Sequence, residues 1–69
     1  MTNIVLSPDT LYSGSDNVWY PVVKEYRDGE LLVTHIYNNP CGEKELALIV
    51  AQTKRNELSE RIGRLGHLY

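Results

Sequence analysis

The dipeptide Asp28-Gly29 constrains this chain more than any other feature of its sequence. It separates two runs rich in aromatic and β-branched residues, Val18 to Arg27 and Glu30 to Tyr37. Such runs favour strands, and an Asp-Gly pair supplies the positive φ that a two-residue turn demands. The spacing predicts a β-hairpin over residues 18–37. Pro21 cannot donate a ladder hydrogen bond, so its strand is expected at a sheet edge, or Pro21 near the start of it.

The segment after the hairpin reads as a helix. Asn39 can accept a bond from an exposed backbone donor and Pro40 suits the first helical position. Glu43 and Glu45 then fall near the positive end of the helix dipole, and Arg61 and Arg64 near its negative end. A helix over 39–63 is expected, with Gly63 and Gly66 as places to stop and a tail over 64–69. At 100° per residue, Ala47, Ala51, Leu58, Ile62 and Leu65 form one stripe, with Val50 at its edge. Leu46 and Ile49 fall off that stripe: either the N-terminal segment covers them, or they form an exposed apolar patch.

Ahead of the hairpin, Asn3 to Leu6 is a short apolar run consistent with a strand. Ser7-Pro8-Asp9-Thr10 reads as a turn or a single helical turn, and Ser13 to Asn17 as a polar loop. The fold class is therefore α+β in one domain over 1–69. An antiparallel hairpin, three-stranded if the N-terminal segment joins it, packs against one long C-terminal helix.

Pairing Arg27 with Glu30 and continuing without a bulge sorts the hairpin side chains into two faces. Trp19, Val23, Leu32 and Ile36 share one, with Glu25, Arg27, Glu30 and Thr34 towards the turn end; it is the more apolar in its middle and is expected to meet the helix. Tyr20, Val22, Lys24, Tyr26, Leu31, Val33, His35 and Tyr37 share the other. A bulge beside the turn exchanges the parity of one strand. A helix of 23 residues spans about 34 Å and an eight-residue strand about 26 Å, so Leu58, Ile62 and Leu65 are expected to overhang. They are the candidate contacts for a second copy of the chain.

Size sets the need for such support. A chain of 69 residues buries only about 60% of the surface its unfolded form exposes. Cys41 is the only cysteine, which excludes an internal disulfide, and with His35 and His67 it shows no zinc-ligand spacing. Oligomerisation or partner binding is the remaining source of stability. No apolar run approaches the roughly 20 residues of a membrane span, and residues 1–6 carry no signal-peptide pattern. A cytoplasmic location and no membrane partner are expected.

Net charge is −2. Through residue 37, Lys24 and Arg27 face Asp9, Asp16, Glu25, Asp28 and Glu30; the rest of the chain is close to balanced. Neither part has the basic surplus that governs affinity for phosphates. Nucleic acid is therefore a disfavoured partner, although Tyr20, Tyr26 and Tyr37 with Lys24 and His35 could form a stacking platform for bases. The same tyrosines suit protein recognition. Cys41 in a first helical turn has no neighbouring base, and Glu57 with Glu60 beside Arg61 and Arg64 reads as a solvated face. The glycines follow no phosphate-loop spacing. No catalytic constellation and no cofactor is expected.

The Val18–Tyr37 hairpin followed by the helix that Asn39 and Pro40 open resembles, as architecture, small phage-encoded accessory proteins, including anti-CRISPR proteins and inhibitors of host enzymes. That resemblance implies a non-enzymatic protein that blocks the surface of a host defence or nucleic-acid-handling complex in the host cytoplasm. The plan is also similar to strand–turn–strand–helix domains that bind DNA through a sheet. Those project several Arg and Lys side chains from their strands, of which this hairpin has Lys24 and Arg27. Three functions stand as expectations. The first is protein binding through Tyr20, Lys24, Tyr26, His35 and Tyr37, or through Leu46 and Ile49. The second is a nucleic-acid-binding regulator on the same tyrosine face. The third is a homodimeric structural subunit.

Overall fold

A computed structural model describes residues 3–66, with side chains as far as residue 62. The elements run β1 (Ile4–Ser13), β2 (Val18–Arg27), β3 (Glu30–Ile36) and α1 (Lys44–Gly66). The strands form an antiparallel sheet in the order β1-β2-β3. The expected α+β architecture is present, with the N-terminal segment as its third strand.

Asp28 (φ 51°) and Gly29 (φ 86°) both adopt left-handed backbone, the geometry of the mirror-image turn that matches strand twist. The same turn anchors the start of β1. Asp28 N–H donates to the Asn3 carbonyl (2.9 Å), and Asn3 N–H donates to Asp28 Oδ1 (3.0 Å).

β1 runs through Ser7–Thr10, where the sequence predicts a turn. The reason lies in where its backbone points. Trp19 and Pro21 direct their backbone groups away from β1, towards Cys41 and Tyr37. By ladder alternation, the β1 residues opposite them, and those in step such as Pro8, point outward from the sheet. Proline is harmless at such a position because no partner awaits its N–H. The outward Thr10 N–H is taken by Asp9 Oδ1 at 2.8 Å.

Pro21 lies in the central strand and not at an edge, but near the start of that strand, the second of the two placements expected. It is the fourth residue of β2, opposite Tyr37, which lies just past the end of β3. Tyr37 N–H still donates to the Pro21 carbonyl (3.0 Å). The missing proline donor thus falls where the ladder is already ending.

The helix begins at Lys44, not at 39 or 40. Cys41 exchanges two backbone bonds with Trp19, each 2.8 Å, which holds residue 41 extended and delays the helix. Its first bond runs from Ala47 N–H to the Glu43 carbonyl (3.2 Å). The helix continues past 63 to Gly66, the second of the two glycines expected as stops; the rest of the expected tail, including His67, lies outside the described residues.

This helix covers one face of the sheet over β1 and β2. Lys44 Nζ lies 5.6 Å from the Trp19 ring centre and Lys54 Nζ 5.6 Å from that of Tyr37. The Trp19, Pro21, Val23 and Glu25 side of β2 therefore faces α1, as the apolar pattern predicts. Val23, Ala47 and Ala51 have no solvent exposure. The two alanine methyls let the helix backbone approach the sheet, so the core is thin and tightly fitted.

Arg55 follows Ala51 by four residues on the same stripe, a position the apolar pattern does not reveal. Its Nε is shielded from water and has no hydrogen-bond partner among the described residues. An orphaned buried donor costs stability even when the rest of the group reaches water. Arg55→Met keeps the aliphatic stem and removes the orphan. It is expected to raise stability by about 0.5–1 kcal/mol in urea denaturation; a loss of that size would show that the guanidinium holds a partner.

Candidate protein-binding surface

The surface is decided by one extra residue. Pairing steps from Glu25↔Val33 directly to Tyr26↔Leu31, leaving Leu32 as a bulge in β3. Beyond it the parity of β3 is exchanged relative to an unbulged hairpin. Val33 and His35 move to the side of Val23 and the helix, while Thr34 and Ile36 move to the side of Val22.

This splits the expected tyrosine platform. Tyr20, Lys24 and Tyr26 remain together on the uncovered face. His35 and Tyr37 do not join them. His35 Nε2 lies 3.1 Å from Glu25 Oε1, and Arg27 Nε donates to Glu25 Oε2 at 3.1 Å. Glu25 is 7% exposed, and this group ties β2 to β3 on the helix side of the sheet. The bond from His35 chiefly, aided by Arg27, holds the Glu25 carboxyl below the usual carboxylate range against the opposing effect of burial. Tyr37 lies under Lys54, and burial pushes its phenol up.

The uncovered face is built from three strands. β1 contributes Val5, Ser7, Asp9 and Leu11, β2 contributes Tyr20, Val22, Lys24 and Tyr26, and β3 contributes Leu31, Thr34 and Ile36. Val5, Leu11, Leu31 and Ile36 are 47–57% exposed. Val22 sits buried among them, between Asp9 and Ile36 across the strands. At the end of the sheet, Leu11, Tyr20 and Ile36 line an open depression of about 470 Å³ together with Tyr12, Ser13, Tyr37 and Asn38.

Lys24 is the only Lys or Arg on this face among the described residues, and it is engaged. Its Nζ lies 3.0 Å from Asp9 Oδ2. The Thr10 N–H and then Lys24 hold the Asp9 carboxyl low, and the bond from Asp9 holds the Lys24 ammonium up. The face is therefore apolar with one neutralised charge pair. Sequence reasoning missed Val5, Asp9, Leu11 and Ile36 here. The first three lie in a strand that reads partly as a turn, and Ile36 is displaced by the bulge.

The remaining candidates fall elsewhere. Leu46 and Ile49 are exposed on the outer side of α1, so nothing in the described N-terminal segment covers them. Leu58 and Ile62 are half-buried, and the side chain of Leu65 lies outside the described residues. The expected overhang shrinks because β1 and β2 run ten residues each. Cys41 precedes the helix instead of sitting in its first turn, and its Sγ–H donates to the Asn39 carbonyl at 3.3 Å.

At the far end of the helix-covered face, the Tyr12 and Trp19 rings meet at 4.8 Å. Tyr12 O–H donates to Asn17 Oδ1 at 2.7 Å, pinning the β1–β2 loop. Among the described residues no three His, Cys, Asp or Glu side chains gather as metal ligands. No described helix is long and apolar enough to cross a membrane. Compared with protein-family models, curated proteins and solved structures, the chain matches none.

Proposed function

We propose that the chain is a non-enzymatic protein-binding module that engages its partner through the uncovered sheet face. The observation that carries this reading is the set of half-exposed apolar side chains, Val5, Leu11, Leu31 and Ile36, around Tyr20 and Tyr26 on the side of the sheet that the helix does not cover. An apolar centre with tyrosines and one internally satisfied charge pair has the make-up of a protein interface. Blocking a host defence or nucleic-acid-handling complex, as small phage-encoded inhibitors do, is the activity that such a surface on so small a domain suits.

The nucleic-acid alternative is disfavoured by the same face. Its single cation among the described residues, Lys24, is paired with Asp9 and is not free to meet phosphates. A test is retention of a partner from nuclease-treated bacterial lysate by the tagged chain. Leu11→Ser with Tyr20→Ala is expected to lower retention at least about tenfold with the circular-dichroism spectrum unchanged. Ile49→Ser, on the outer side of the helix, is expected to leave it intact. Unchanged retention in the first variant would sink the reading. Salt-sensitive oligonucleotide binding that Lys24→Glu abolishes would replace it with the nucleic-acid one.

A further inference from the structure

The two edges of the sheet are not alike. On β1 the outward backbone is blocked in its middle: Pro8 has no N–H, and the Thr10 N–H is already taken by Asp9. β3 has neither device. Tyr37 bonds inward to Pro21, so alternation turns the N–H and C=O groups of Ile36 and Thr34 away from β2. No Lys or Pro guards β3; its one edge device is the bulge at Leu32, which leaves the Val33–Ile36 stretch regular. The helix packs on β1 and β2 and not on β3. Leu31, Leu32, Val33 and Ile36 are accordingly 43–57% exposed.

We propose that β3 pairs antiparallel with β3 of a second copy, joining two three-stranded sheets into one sheet of six strands about a twofold axis at Thr34. Pairing β3 with its own copy closes about a twofold axis, whereas joining β3 to the partly blocked β1 of another copy would build an open fibre. The twofold must pass through a residue that opposes itself, and a bonded rung needs outward backbone groups; Thr34 and Ile36 both have them, and a centre at Thr34 pairs more of the strand because Ile36 is its last residue. This register sets Thr34 against its own copy, a favourable cross-strand pair. It sets Val33 against His35 of the other copy on the helix side. On the uncovered side the Leu32 bulge brings Leu31 opposite Ile36 of the other copy, covering two half-exposed apolar side chains with each other. The inference is independent of which protein the uncovered face engages, and it makes that face twice as large and continuous.

The purified chain is expected to sediment at twice the monomer mass. Ile36→Lys, which puts a charge against Leu31 of the other copy, is expected to return it to monomer with its circular-dichroism spectrum retained. In a Cys41→Ser background, Thr34→Cys is expected to form an intermolecular disulfide on mild oxidation. Ile36→Cys is not, because two such positions lie roughly 14 Å apart in this register, four residues at about 3.4 Å. A monomer at every concentration, a dimer linked through residue 36 but not 34, or a dimer dissolved only by Leu58 or Ile62 substitutions overturns the proposal. If Ile36→Lys unfolds the chain, the cysteine pair alone decides. Partner retention is read separately, so a dimer without a captured partner sinks only the protein-binding reading, and a capturing monomer sinks only this one.

Discussion

Ala51→Leu is expected to lower the stability of this domain by about 1–3 kcal/mol. Ala51 has no exposed surface and lies on the helix that packs against β1 and β2. A leucine there has no cavity to enter, so the helix must lift or neighbouring side chains must leave their rotamers. The domain has little stability to lose: at roughly 0.05–0.15 kcal/mol per residue, 69 residues amount to about 3–10 kcal/mol. The expected fall in Tm is roughly 5–20 °C. Ile49→Ala, two residues earlier but 58% exposed, is the matched control and is expected to stay within about 0.5 kcal/mol of the parent. Thermal denaturation of the two variants side by side checks this, and equal effects would mean that the helix does not seat on its alanine stripe.

The second large effect is a loss of stability in acid that passes through Glu25. Its carboxyl is nearly buried, bonded to His35 and Arg27, and held below its ordinary pKa in the folded chain. A carboxylate depressed by folding stabilises fully above its unfolded pKa. That contribution fades as pH falls through the folded value, because the unfolded chain takes up the proton more readily. Asp9, held low by the Thr10 N–H and Lys24, adds in the same direction, although its greater exposure makes its share smaller. Glu25→Gln is expected to cost about 1–2 kcal/mol at neutral pH, through two weakened charge-assisted bonds. It is also expected to flatten the decline between about pH 5 and pH 2. Urea midpoints measured across that range provide the check. If the Glu25→Gln chain loses stability in acid as steeply as the parent, the acid sensitivity lies elsewhere.

Much of the fold was legible from short-range chemistry. The Asp28-Gly29 turn, the alanine stripe of the helix and the Trp19–Val23 side as its seat each follow from backbone preference or apolar periodicity within one segment. Those signals are local and large enough to survive any tertiary context. That Leu46 and Ile49 fall off the buried stripe was legible for the same reason, while their exposure was decided by the N-terminal segment, which joins the sheet instead of covering them.

Three features required the assembled sheet. Ser7 to Thr10 look like a turn in isolation, and become strand because β2 supplies a partner on one side while Pro8 faces outward. The helix start moves to Lys44 because Trp19, distant from Cys41 in sequence, captures the Cys41 backbone. The Leu32 bulge, one residue in a seven-residue strand, separates His35 and Tyr37 from the other tyrosines and puts Ile36 in their place. Local propensity scarcely distinguishes a bulged from an unbulged β3, because both satisfy the same residues. The choice is made across strands, where His35 gains Glu25 and Tyr37 gains Pro21 and Lys54. Which residues can form strands and a helix was therefore written in the chain, while which of their side chains meet solvent together was decided by long-range pairing.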